Sequence, residues 1–193
     1  MKRAGILMLT LMPFVFGASA LLGDDAIEPT LTDDGLYSQD WFLESFLDLN
    51  EDLDEASANG KRFAIMWELR GCPYCKETHL VNFAKPDINA YIRETFEILQ
   101  LNYLGSRIVT DFDGEELEER ELREKYGVRF TPTIQFFPES SGEIDGATGR
   151  AAETARMPGY FKPDHFVQMF RFIRDKAYET ETFRDYLSAH LGG

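Results

Sequence analysis

The sequence is short of cysteine, histidine and positive charge. Among 193 residues there are two cysteines, three histidines and 20 Lys or Arg against 34 Asp or Glu. A structural zinc site normally takes four ligands, so this supply leaves little for one. The formal net charge of −14 argues against nucleic acids and anionic membrane surfaces as partners. No cofactor is implied. There is no internal repeat and no sign of a second domain, and the length fits one domain with appendages. Beyond residue 20 no stretch is long and apolar enough to span a bilayer. What remains is ample apolar material, 44% of the chain, enough for an ordinary core.

The N-terminus reads as an address. Met1-Lys2-Arg3 is basic, residues 4–16 are mostly apolar, and Ala18-Ser19-Ala20 is a small-residue cleavage pattern. This predicts a signal peptide over 1–20, cut after Ala20. The rival reading is an uncleaved anchor, for which the apolar stretch is short. Loss of Lys2 and Arg3 would take the charge from −14 to −16. Export places the cysteines in an oxidising compartment. A reductase there needs electrons brought through a membrane protein.

Residues 21–37 are acidic and turn-rich and read as an extended lead-in to a domain over 38–193. Ser38 is a plausible cap for a helix carrying Trp41, Phe42, Leu43, Phe46, Leu49, Leu53 and Ala56, closing at Asn59-Gly60. Residues 61–69 form the first strand, apolar without alternation, as a strand covered on both faces should be. A helix follows over 73–81, another after Pro86, and a second strand around Phe96, Ile98 and Leu101. Residues 106–114 suggest a short hairpin or loop. A charged helix over 115–126 offers Glu116–Arg120, Glu119–Arg123 and Glu121–Lys125 as solvated i,i+4 pairs. A strand holds Thr133 to Phe137. Residues 139–155 predict a turn, a weak edge strand and a loop. Helices with stripes at Phe166, Met169, Phe170, Ile173 and at Phe183, Tyr186, Leu187 end the chain, the last capped by Thr182 and Asp185.

Both cysteines sit in Arg70-Gly71-Cys72-Pro73-Tyr74-Cys75-Lys76, between the first strand and the next helix. At a helix mouth, unpaired N–H groups and the positive dipole end favour thiolate, the nucleophile. Pro73 suits the first helical turn. Cys72 would attack a disulfide and Cys75, one turn inward, would resolve the mixed disulfide. The alternatives are a structural disulfide or a metal module of Cys72 and Cys75 with His79. A four-residue ring constrains little. Arg70 and Lys76 are candidates to stabilise the thiolate, or are simply solvated. His79 shares the helix face of the cysteines, and a surface or packing role is the simpler reading.

Taken together, Gly71-Cys72-Pro73-Tyr74-Cys75, Tyr126-Gly127-Val128, Thr131-Pro132-Thr133 with Phe136-Phe137, and Arg156-Met157-Pro158-Gly159-Tyr160 resemble the thioredoxin superfamily. The closer resemblance is to periplasmic thioredoxins of Sox clusters (SoxW-type), over roughly Trp41 to the end. It implies an α/β thioredoxin fold: a central mixed sheet flanked by helices, here with extra N- and C-terminal helices. It implies a cis Thr131–Pro132 bond packed on the disulfide, with Thr131, Pro73 and Tyr74 near the substrate. It also implies a periplasmic reductase of disulfide-containing proteins, in sulfur oxidation or cytochrome maturation, re-reduced by a CcdA-type membrane thiol transporter. Two positions depart from ordinary thioredoxin. Gly71 stands where Trp is usual, and Met66 where a buried Asp assists proton transfer. Glu68 is a candidate substitute, although a solvent-facing strand-end carboxylate is the simpler reading. Pro73-Tyr74 resembles glutaredoxins. A glutathione pocket would draw on Arg70, Lys76 and Arg129, but an acidic exported chain disfavours it.

Overall fold

The computed structural model describes residues 26–192, so the predicted signal peptide lies outside the described residues. The lead-in forms a small antiparallel pair, β1 (Thr30–Leu31) with β2 (Tyr37–Ser38). It is tied to the domain by Ile27 N–H donating to the Ala84 carbonyl at 3.0 Å.

The helix predicted from Ser38 begins ten residues later. Ser38 lies in β2, and α1 spans Leu49–Ala58. Leu47 holds a φ of 67°, a conformation no helix continues through. The Asp48 side chain then accepts the N–H groups of Asn50 and Glu51 and starts the helix. Phe42 is buried, but Phe46 is fully exposed, so the expected stripe breaks.

The main sheet has the order β4-β3-β7-β8. Strand β3 (Arg62–Glu68) is its spine and is buried throughout. It pairs in parallel with β4 (Phe96–Asn102) and antiparallel with β7 (Thr133–Phe136), which pairs antiparallel with the edge strand β8 (Ala155–Pro158). Alternate side chains of β3 serve two cores. Phe63, Ile65 and Trp67 pack with Leu49, Leu53 and Leu122, from α1 and α4 (Glu119–Lys125). Ala64 and Met66 face Ile88, Ile92, Phe166 and Phe170, from α3 (Pro86–Thr95) and α6 (Pro163–Arg174). Both faces are covered, so β3 reads as an unbroken apolar run. A single helical turn, α5 (Ser141–Ile144), precedes β8, and the last helix, α7 (Phe183–Leu191), is capped by Thr182 and adds Tyr186 to the second core.

The charged helix is shorter than predicted. Glu116–Glu118 is strand β6, paired with β5 (Ile108–Thr110), and α4 starts at Glu119. None of the three i,i+4 pairs forms. Glu119 is buried and accepts from Asn102 N–H at 2.9 Å and from the Arg107 guanidinium at 2.6 Å. Arg123 pairs with Glu124, and Lys125 with Asp111, Asp113 and Glu115. Tertiary partners outcompete local ones because exposed helix pairs contribute only about 0.3–0.5 kcal/mol.

Candidate redox site

Strand β3 delivers the chain to the sulfur centre. Three residues after it ends, Gly71 takes a φ of 77°, and an added Cβ would meet nothing within 4 Å. Conformation rather than space therefore asks for glycine, which accounts for the absent Trp. Cys72 is the N-cap of α2 (Pro73–Glu77), with Pro73 in the first turn. Its Sγ accepts the Cys75 N–H at 3.1 Å and is bonded to Cys75 Sγ. Cys72 is partly exposed, whereas Cys75 is 2% exposed. The Thr131–Pro132 bond is cis, and the Thr131 carbonyl and hydroxyl oxygens each lie 3.4 Å from Cys72 Sγ. Pro132 itself is buried. Tyr74 is 56% exposed and stacks on Tyr160, with ring centres 6.1 Å apart. Burial, and then the Glu77 carboxylate, raise the Tyr160 phenol above its ordinary pKa.

After α2 the helix widens into a π-turn over Thr78–Phe83, replacing the uniform helix predicted over 73–81. Thr78, His79, Asn82 and Phe83 are all turned inward there. His79 is fully buried and Glu68, the last residue of β3, is 1% exposed. The solvent-facing reading of Glu68 and the surface reading of His79 are thus both corrected. His79 Nε2 meets Glu68 Oε1 at 3.0 Å, and Nδ1 meets Gln39 Nε2 at 3.0 Å. Gln39 Oε1 accepts from Asn89 Nδ2 at 2.9 Å, and Glu68 also accepts from Gln100. With the Gln39 amide nitrogen donating, His79 accepts at Nδ1 and donates at Nε2 to the carboxylate, the pattern of a neutral imidazole. The sequence reading missed Gln39, Asn89 and Gln100. Gln100 did carry a signal, as a lone amide between Leu99 and Leu101 in a buried strand.

Arg70 and Lys76 turn toward the lead-in. The Arg70 stem lies beside Gly35, and Lys76 sits 6.0 Å from the centre of the Tyr37 ring. The metal module loses its third ligand, because Gln39 and Glu68 occupy both nitrogens of His79. Among the described residues no group of three potential metal ligands assembles.

Residues 49–174 match the thioredoxin-like domain family. The chain belongs to that family. No curated protein matches it significantly. Among solved structures it is similar to a thioredoxin-fold protein from Helicobacter pylori, at 20% identity and a TM-score of 0.53, over 68% of this chain and 84% of that one. A thioredoxin from Thermus thermophilus is 22% identical, with a TM-score of 0.47, over 64% and 82% of the two chains. The oxidised DsbD C-terminal domain of Neisseria meningitidis is 18% identical, with a TM-score of 0.42, over 65% and 93%. The likeness to the Helicobacter pylori protein speaks for the fold alone.

Proposed function

We propose that this protein is a thiol–disulfide oxidoreductase that reduces disulfides of partner proteins in the periplasm. The observation that carries the reading is the asymmetry of its two sulfurs. Cys72 is accessible, caps a helix, accepts an N–H and lies against the Thr131–Pro132 turn, while Cys75 is buried behind it. In the reduced form, the Cys72 thiolate attacks one partner sulfur and the other leaves as a thiolate that takes up a proton. Cys75 then loses its proton and attacks Cys72 Sγ, releasing the first partner sulfur. Two electrons pass from the dithiol to the partner, and the protein keeps the disulfide. Glu68, a buried carboxylate at the end of β3 held by His79 and Gln100, stands in for the usual Asp in the proton traffic. The likeness to Sox-cluster thioredoxins supports service in sulfur oxidation or cytochrome maturation, with a CcdA-type transporter restoring the dithiol.

The test is mixed-disulfide trapping in the exporting cell. Cys75→Ser is expected to accumulate covalent complexes with partners, and Cys72→Ser to accumulate none. Equal trapping by both variants sinks the assignment of roles. Failure of the unmodified reduced protein to reduce insulin disulfides sinks the oxidoreductase reading.

A further inference from the structure

Beside the Thr131–Pro132 turn lies a cavity of about 390 Å³. Its walls include Arg129, Phe130, Thr133, Arg150, Arg156 and Pro158, and no carboxylate lines it among the described residues. Arg156 is already satisfied. It pairs with Glu153 and donates to the carbonyls of Tyr126 at 2.6 Å and Gly127 at 3.1 Å. Arg129 and Arg150 differ. Both are exposed, and among the described residues neither forms a salt bridge. On a chain with 34 acids and 20 bases, two uncommitted guanidinium groups facing one cavity stand out. Phe130, 64% exposed, gives the cavity an apolar wall.

The place is next to the chemistry. Phe130 directly precedes Thr131, which touches Cys72 Sγ at 3.4 Å. Pro158 is the register partner of Thr133 on the edge strand, and Gly159 N–H donates to the Pro132 carbonyl at 2.7 Å. The cavity therefore opens between the turn that meets the sulfur and the edge of the sheet. An extended partner segment advances about 3.3 Å per residue, so two to four residues cover roughly 7–13 Å.

We propose that this cavity receives a carboxylate side chain of the protein partner. Preferred substrates then carry Asp or Glu two to four residues from the attacked cysteine. The proposal rests on the oxidoreductase reading and deepens it. A planar guanidinium matches a carboxylate with two parallel hydrogen bonds. The Phe130 ring can cover the methylene stem of the incoming residue. The acidic surface elsewhere repels the same segment, which confines it to this pocket.

The test separates binding from turnover. Three labelled peptides are made with serine in place of the target cysteine and Glu, Gln or Lys three residues after it. Their affinities for the oxidised protein are read by fluorescence anisotropy at low salt. The Glu peptide is expected to bind roughly tenfold tighter than the Lys peptide, a difference of about 1.4 kcal/mol. In the Arg129→Glu, Arg150→Glu double variant the order reverses. Equal affinities, or an order untouched by the double variant, overturn the proposal. Displacement of the Glu peptide by oxidised glutathione at a lower concentration than unlabelled peptide overturns the protein-partner assignment. In the turnover arm, disulfide versions of the peptides are reduced by the dithiol form. Each rate is divided by the same protein's rate with hydroxyethyl disulfide, and the same preference is expected. Normal turnover without any charge preference overturns the pocket alone. A binding preference with no reduction of any disulfide overturns the oxidoreductase reading alone.

Discussion

At the scale of single residues, Glu68 and His79 show how much a buried polar pair depends on its partners. Both side chains are at most 1% exposed and bonded at 3.0 Å. Removing His79 takes one hydrogen bond from the buried Glu68 carboxylate, which keeps Gln100, and leaves the Gln39 amide short of an acceptor, a loss of about 1–3 kcal/mol. His79→Ala is therefore expected to lower unfolding free energy in urea by that amount. A surface histidine would change stability within ±0.5 kcal/mol, and so small an effect would show the pair to be incidental. Glu68→Gln separates structure from proton traffic. Glutamine keeps an acceptor for His79 but cannot take a proton at neutral pH. It should slow the resolving step, so that mixed disulfides persist longer. An unaltered resolving rate would remove Glu68 from the proton route. Neither residue announced this from the sequence. A glutamate at a strand end and a histidine on a short helix look the same whether they meet or not, and the sequence alone does not show that the face His79 shares with Cys75 is the buried one.

At the scale of elements, the parts read well from sequence were those that local patterns determine. The buried spine β3, the cysteine helix with Pro73 in its first turn, and the Thr182 cap of α7 all rest on periodicity or capping chemistry. The parts misread were decided by distant partners. Ser38 resembled a helix cap but pairs with Thr30 across a small hairpin. Glu119 resembled a solvated helix residue but joins the end of β4 to the start of α4 through Asn102 and Arg107. Helix α1 holds a further case. Burial pushes the Asp52 carboxyl up from 3.8 to about 6, against the Ser45 hydrogen bond, and nearby Asp48, Glu55 and Glu51 add to the rise. An acid with a raised folded pKa binds its proton more tightly when folded. Its contribution is most favourable below pH 4 and is lost as pH climbs from about 4 to about 6. The stability of the unmodified protein relative to Asp52→Asn should therefore fall across that window and stay level on either side. Urea midpoints taken every half pH unit measure it. A relative stability that rises through the window would reverse the sign and place a charged Asp52 in a favourable site.

At the scale of the whole molecule, charge is distributed unevenly with respect to function. With 34 acids and 20 bases, at least 14 acidic groups have no cation to match them. Their mutual repulsion opposes the compact state. The surface ion pairs that offset it, such as Lys125 with Asp113 and Glu115, contribute about 0–1 kcal/mol each. Repulsion summed over the excess acids should win. Raising sodium chloride from about 10 to about 150 mM shortens the screening length from about 30 to about 8 Å. That step is expected to raise the melting temperature at neutral pH. At the cavity beside Thr131–Pro132 the sign is opposite. There Arg129 and Arg150 face a region without carboxylates, and the same salt weakens their attraction for an acidic segment. One titration on one sample should thus stabilise the fold and reduce the preference for the Glu peptide over the Lys peptide. If both quantities rise together, the peptide preference comes from apolar contact with Phe130 and not from charge. If both fall, the ion pairs outweigh the repulsion and the acidic surface is not a burden on the fold.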